Sequence, residues 1–405
     1  MKSSLPRILI DSRALQEGFK SHKHRGIGHY ASNLIEGLLR SKLSFEFTFL
    51  AENGLAPDER LVNYPGILHT PRWFEPKASR MISEQYTVAC SIPAHSFELV
   101  HFLAQGDASM FTRCPYIVSV MDTISLSVKE LYRLPQRLKH DIAHNIVKRI
   151  IHNSSRIIAI SEHTKKDILK YFSVPSEKVC VVPLAVEKLY FQKWTSEDVL
   201  KIRSFYELSE DFLLYVGGID PRKNVGLILK ALKLLLEENP QKCPLLVFAG
   251  DITGQREYSQ LMKSLLTLGI GERIRFLGYV PAEKLPLLYH ASTMFVYPSR
   301  YEGFGLPVLQ AMAAGTPVIT TKLSSIPEVA GEAVLYINPD RPDELARAIM
   351  EIFSNHALRS SLVASGIKQA ESFSWDRTIK GTIEVYHDVL QSLHSEHTRD
   401  SSIRK

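Results

Sequence analysis

The densest run of residues able to do chemistry is Tyr297-Pro-Ser-Arg-Tyr-Glu302-Gly303-Phe304-Gly305-Leu306-Pro307-Val-Leu-Gln310-Ala-Met-Ala-Ala-Gly315. A strand ends near Ser299, a glycine-bearing loop follows, and a helix opens near Leu306, with Pro307 suited to its first turn. Gly303 and Gly305 let a ligand approach the backbone, and the exposed amides at a helix start attract anions. Glu302 before the helix and Gln310 on it could face one cavity at a strand C-terminal edge, where α/β folds bind ligands. The same spacing also fits a plain strand–turn–helix connection with polar surface groups.

Two further glycine-bearing connections follow strands. In Tyr215-Val-Gly217-Gly218-Ile-Asp-Pro-Arg222-Lys223-Asn224, two adjacent cations precede a helix for which Asn224 is a good N-cap. Arg222 and Lys223 there suit a diphosphate, each charge-assisted hydrogen bond contributing roughly 1.5–3 kcal/mol; a solvated basic turn is the alternative. Arg25-Gly26-Ile-Gly28-His-Tyr30 is not a G-x-G-x-x-G, because position 31 is alanine. It reads as a mobile loop whose amides meet a phosphate. His140 and His144 stand one helical turn apart, but with Arg137, Lys139, Lys148 and Arg149 around them and no third ligand they read as a basic helix face rather than a metal site.

The elements that position these residues alternate between β-branched runs and amphipathic stretches. Strands are expected at Arg7–Asp11, Phe45–Leu50, Leu99–Leu103, Tyr116–Met121, Arg156–Ile160 and Val179–Val182, with helices at Gly28–Arg40, Pro135–Ile151 and Ser161–Tyr171. The pattern restarts after a polar stretch. Strands are expected at Phe212–Val216, Leu245–Ala249, Arg273–Leu277, Met294–Tyr297, Pro317–Thr321 and Ala333–Ile337, with helices at Asn224–Glu238, Leu306–Ala314 and from Pro342 onward. Such alternation argues for parallel sheets with helices on both faces. The expected domains are 1–190, a linker at 191–210, 211–374, a helix at 375–391 crossing back to the first domain, and a disordered tail at 392–405.

Composition narrows the class. The 405 residues are 45% hydrophobic and 23% charged, ordinary for a globular protein of two or three domains. The four cysteines form no C-x-x-C pair, so a disulfide framework or zinc site is not expected and a reducing compartment is. No run approaches the roughly 18 apolar residues that span a bilayer. The net charge of +6 falls in residues 1–200, which hold 26 Lys+Arg against 20 Asp+Glu. That bias fits attraction to an anionic surface, or solubility alone.

Taken together, these segments resemble the family 4 retaining glycosyltransferases of the GT-B fold. The matching segments are Gly217–Asn224, Gly278-Tyr-Val280-Pro281, Ala291–Gly315 and Thr320–Gly331. Ile8–Arg13 with Gly26–Tyr30, and Ile160–Asp167, are similar to the bacterial mannosyltransferase-like branch. The resemblance implies an α/β protein of two Rossmann-like domains whose parallel sheets face an interdomain cleft. It implies that Arg222 and Lys223 hold a donor diphosphate and that Glu302 contacts donor-sugar hydroxyls. Gly303, Phe304, Gly305 and Leu306 would offer amides, Gly26 and Gly28 would close on the phosphate, and Gly217, Gly218 and Val280 would line the donor. Catalytic roles fall to Glu302, Arg222, Lys223 and Asp122. No metal or other cofactor is implied, the nucleoside diphosphate sugar being a co-substrate. Two departures stand out. Gln310 replaces a second glutamate that usually binds ribose hydroxyls, and Met121 replaces a histidine before Asp122.

The expected function is hexosyl transfer with retention, with mannose from GDP-mannose as the first donor. The acceptor is a saccharide or lipid-linked saccharide in synthesis of O-antigen, capsule or exopolysaccharide. The expected location is cytoplasmic, with peripheral contact to an anionic membrane and no nucleic-acid partner. A degenerate relative acting as a scaffold and a sugar-nucleotide epimerase are the alternatives.

Overall fold

The computed structural model describes residues 5–20, 22–23, 26–41, 45–72, 80–132, 134–208 and 211–403, without the side chains of 80–82, 134–140 and 396–403. Arg25 and the side chains of Arg137, Lys139 and His140 lie outside the described residues. The chain divides into two compact units: 1–126 with 134–184 and 375–405, and 127–133 with 185–374.

The first unit is built on seven strands: β1 (Arg7–Asp11), β2 (Glu46–Glu52), β3 (Ile67–Thr70), β4 (Leu99–Phe102), β5 (Tyr116–Val120), β6 (Arg156–Ala159) and β7 (Val179–Val181). They form one parallel sheet in the order β3-β2-β1-β4-β5-β6-β7. Both faces of a parallel sheet are covered by helices, which is why β4 and β5 read as unbroken runs and are buried at every position. The helix Gly26–Arg40 turns Tyr30, Ala31, Leu34, Ile35 and Leu38 inward. Glu162–Phe172 starts at Ser161, whose hydroxyl accepts from the Thr164 amide at 3.0 Å, and stops at Ser173 in the left-handed region.

The last helix, Trp375–Ile403, belongs to this first unit. Gly37 is needed for its approach, because a β-carbon there would overlap Ile379 Cδ1 at 1.9 Å. Buried polar groups fix its register. Tyr386 pairs with His101 Nδ1 at 2.8 Å, His101 Nε2 with Ser119 Oγ at 2.9 Å, and Ser119 Oγ with the Tyr30 hydroxyl at 2.9 Å. Burial lowers His101 to about 3, so the ring is neutral and the network carries no charge. The tail expected to be disordered from Ser392 is instead helical as far as Ile403. It is polar, but no glycine or proline interrupts it after Leu390.

The second unit carries β8 (Phe212–Val216), β9 (Leu245–Ala249), β10 (Ile274–Gly278), β11 (Met294–Tyr297), β12 (Val318–Thr321) and β13 (Leu335–Ile337). All are parallel, in the order β10-β9-β8-β11-β12-β13. The order reverses direction between β8 and β11, and their C-terminal loops therefore open beside each other. The stretch expected as a linker at 191–210 holds the helix Ser196–Phe205. Thr195 and Asp198 close a reciprocal capping box at its start, a signal hidden by the polar composition.

Candidate active site

The loops after β8 and β11 meet at that reversal. After β8 the chain runs through Gly217, at φ 136°, a backbone conformation that L side chains rarely adopt. A β-carbon on Gly218 would sit 2.7 Å from the Gln255 carboxamide, which would have to shift. Gln255 pins this turn by accepting from the Ile219 amide at 2.7 Å. Asp220 then caps the short turn Pro221–Lys223, its carboxylate accepting from the Arg222 amide at 3.2 Å and from the Tyr132 hydroxyl at 2.9 Å. Asn224 corrects the sequence expectation. It precedes Val225–Glu238 in the left-handed region without a side-chain cap, and its side-chain Nδ2 donates instead to the Pro339 carbonyl at 2.8 Å.

Glu302 sits where the two loops join. The Arg300 amide donates to the Arg222 carbonyl at 2.7 Å, which stitches the loops through their backbones. The Ser324 hydroxyl accepts from the Glu302 amide at 2.9 Å and the Ser325 hydroxyl donates to its carbonyl at 2.9 Å. Arg222 Nη1 and Lys223 Nζ each reach Glu302 Oε1 at 2.8 Å. Tyr297 adds its hydroxyl to the same oxygen at 3.0 Å and Ser299 adds its own at 2.6 Å. Lys223 also donates to the Tyr297 hydroxyl and lies 4.7 Å from that ring's centre.

The electrostatics follow from burial. Burial alone would raise the Glu302 carboxyl, but Lys223 and Arg222 outweigh it and hold the group at about 2. Burial brings Lys223 down to about 8, with Glu302 opposing and neighbouring Arg222 adding to the fall. The site therefore presents two cations and one ionised carboxylate, the groups needed to hold a diphosphate and a polyol.

The rest of the donor loop is arranged by packing. Gly305, at φ 96°, begins the helix Leu306–Ala313, and Pro307 lies in its first turn. Phe304 is buried edge-on against Phe373. Val280 is buried beyond β10. Gln310 is buried, but its Oε1 lies 3.5 Å from the Tyr289 hydroxyl, and among the described residues no hydrogen bond joins it to the Glu302 cluster.

In the first unit, charged residues ahead of the glycine turn are paired. Arg13 is buried and bonded to both Asp11 carboxylate oxygens at 2.8 and 2.7 Å, and Lys20 pairs with Asp107 at 2.8 Å and Glu84 at 2.6 Å. Gly28 donates its amide to the His22 carbonyl at 3.1 Å. A β-carbon on it would lie 2.3 Å from the Lys23 carbonyl oxygen, so close chain packing demands this glycine. A β-carbon on Gly26 would meet nothing within 4 Å. Asp122 accepts from the Ile124 amide at 3.1 Å at the start of Ile124–Ser127, and the buried Met121 donates its amide to Gln105 at 3.1 Å.

Residues 24–188 match the family model described as Glycosyltransferase Family 4, and residues 200–369 match Glycosyl transferases group 1. The chain belongs to the family 4 glycosyltransferases. This family 4 chain is 34% identical over 232 residues to O-antigen chain mannosyltransferase B of Escherichia coli, covering 57% of this chain and 60% of that one. It is 28% identical over 273 residues to the serotype-specific mannosyltransferase WbdA of Escherichia coli, covering 67% of this chain and 33% of that one. The alignments thus span less than two thirds of either relative. Among solved structures it resembles Anabaena HepE in complex with UDP and glucose, with a TM-score of 0.72 at 18% identity, covering 95% and 100% of the two chains. It also resembles WaaG, a glycosyltransferase involved in lipopolysaccharide biosynthesis, with a TM-score of 0.73 at 14% identity, covering 94% and 99%. At those identities the likeness is one of fold, here the GT-B fold with its two Rossmann-like domains.

The family 4 motif residues Arg222, Lys223 and Glu302 come together in one cluster, while Tyr297, Ser299 and Ser324 complete it without having been singled out. A signal for the first two was available. Tyr297 closes an otherwise apolar strand, and Ser299 follows two residues later, where ligands approach a parallel sheet.

Proposed function

We propose that this chain transfers a hexose, with retention, from a nucleoside diphosphate sugar to a saccharide or lipid-linked saccharide in cell-surface glycan synthesis. The observation that carries this reading is the convergence of Arg222 and Lys223 on Glu302 where β8 and β11 diverge. The two cations suit the diphosphate and stabilise its charge as it leaves. Glu302 suits the sugar hydroxyls, and Gly303 to Leu306 lie at a helix start that favours anions. GDP-mannose is the proposed donor, its sugar, though not its nucleotide, supported by the names of the two Escherichia coli relatives.

In this reading the acceptor hydroxyl attacks the anomeric carbon from the face the diphosphate leaves. Its proton passes to the departing phosphate oxygen, and the protein contributes positioning and charge stabilisation. Incubation with GDP-mannose and other donors plus saccharide acceptors, with EDTA present, should yield a glycoside. An isomerised nucleotide sugar, no product, or a strict need for divalent metal would overturn this reading.

No helix among the described residues is long and apolar enough to cross a membrane. The proposal places the protein in the cytoplasm, with its basic first 200 residues meeting anionic lipid. Sedimentation with anionic vesicles should then fall as salt rises. Equal binding to neutral vesicles, or binding to neither, contradicts that contact.

A further inference from the structure

Four donors crowd one oxygen of Glu302. Arg222, Lys223, Tyr297 and Ser299 all fall on Oε1, two of them cations. A carboxylate oxygen has about two lone-pair directions, so four donors are more than it serves well. Arg222 and Lys223 repel each other, and Glu302 is the group that holds both. A diphosphate offers more charge and more acceptor oxygens than one carboxylate and would compete strongly for them.

Glu302 cannot follow the cations. Its amide and carbonyl are held by Ser324 and Ser325. The Tyr297 ring is fully buried, stacked between Tyr215 at 6.0 Å and Phe295 at 5.4 Å, which fixes where its hydroxyl lies. Ser299 is also fully buried, and its carbonyl accepts from the Thr321 hydroxyl. Two neutral donors therefore remain on the carboxylate when the charged ones leave. A buried carboxylate without them would be strongly disfavoured.

We propose that donor binding is an exchange of partners, in which the diphosphate draws Arg222 and Lys223 from Glu302 while the Tyr297 and Ser299 hydroxyls keep the carboxylate in place for the sugar. The proposal rests on the donor assignment made above. Tyr297 and Ser299 are then positioning residues, acting on the sugar through Glu302.

The exchange has a proton signature. The groups facing Lys223 are Glu302, Arg222, Asp220 and the Tyr297 hydroxyl, which burial keeps protonated. The free site holds Lys223 near 8. Contact with a diphosphate favours the charged ammonium, so binding should take up a proton as pH approaches and passes 8.

The test is calorimetry of GDP and of UDP binding to the full chain, in two buffers of different ionisation enthalpy. The wild type should take up a fraction of a proton per nucleotide that grows as pH rises from 7 to 9, as more of Lys223 is neutral before binding. Lys223→Arg, charged throughout, should abolish the uptake. Tyr297→Phe should leave GDP affinity within a few-fold. It should, however, shrink the affinity difference between GDP and the GDP-hexose that the enzyme uses. A merely structural role would weaken both ligands alike, which sinks the positioning claim. Nucleotide binding without proton uptake at pH 8 and 9 would show the ion pairs intact and overturn the exchange. If neither nucleotide binds, the donor assignment falls with it.

Discussion

Glu302→Ala is expected to destabilise the second unit by about 3–5 kcal/mol, because it takes the shared carboxylate from two adjacent buried cations and leaves Arg222 with the Tyr301 carbonyl at 2.8 Å and Asp220 at 3.7 Å. Arg222 and Lys223 have side chains only 16% and 12% exposed, so water replaces little of the lost carboxylate. Tyr297 loses its carboxylate acceptor in the same change, and Ser299 is left with the Arg222 and Tyr301 carbonyls at 3.3 and 3.2 Å. Thermal unfolding followed by far-UV circular dichroism reads the effect. Saturating nucleoside diphosphate should restore part of it, about 2.7 kcal/mol at a hundredfold excess over Kd. The gap between wild type and variant should depend on pH with a definite sign. The carboxyl is held at about 2 in the fold against an ordinary value of 4.5. Its contribution is therefore complete above 4.5 and is lost as pH falls from there towards 2. A variant as stable as wild type at neutral pH contradicts the geometry of the cluster.

The second large effect concerns the cations. Arg222→Ala and Lys223→Ala should each weaken diphosphate binding by roughly 1.5–3 kcal/mol. The double variant should lose on the order of a hundredfold or more in donor affinity. The losses will not add, because both side chains share Glu302 and each single variant leaves the other cation more tightly held there. Nucleotide calorimetry on the three variants measures this directly. Wild-type affinity and turnover in the double variant would remove both residues from the site.

The alternation of strands and helices was legible because parallel strands are buried on both faces and show as short apolar runs. Phe212–Val216, Leu245–Ala249 and Met294–Tyr297 are examples whose bounds agree with the structure. What periodicity could not supply was sheet order. β8 lies beside β11, three strands later in the chain, and that neighbourhood alone makes Arg222 and Glu302 partners. The family resemblance stood in for it. Edge strand β3, Ile67–Thr70, went unread because it is four residues long and only Thr70 is buried. The helix at 196–205 was hidden by charge, although its capping box lay in the sequence.

Some residues were legible in type and misread in cause. Gly28 was read as a glycine for a phosphate, and the structure adds a packing cause, since the Lys23 and His22 carbonyls occupy the space a side chain would need. Asn224 looked like a cap, but Asp220 caps the preceding turn and Asn224 reaches Pro339. Gln310 stands on the expected helix, yet its carbonyl oxygen is turned towards Tyr289, a contact between helices that local spacing does not encode. Tyr297 and Ser299 were quoted within the motif without a role, because their importance depends on where one carboxylate oxygen ends up.

The central claim is that the second unit binds the diphosphate of a sugar nucleotide at Arg222, Lys223 and Glu302. Thermal unfolding of the full chain against a panel of nucleoside mono- and diphosphates and their sugars, without added metal, tests it most directly. The account predicts that at least one diphosphate raises Tm in a concentration-dependent way, that its monophosphate does so far less, and that Arg222→Ala with Lys223→Ala removes the difference. Equal shifts from mono- and diphosphates, or a diphosphate shift that survives loss of both cations, would contradict it.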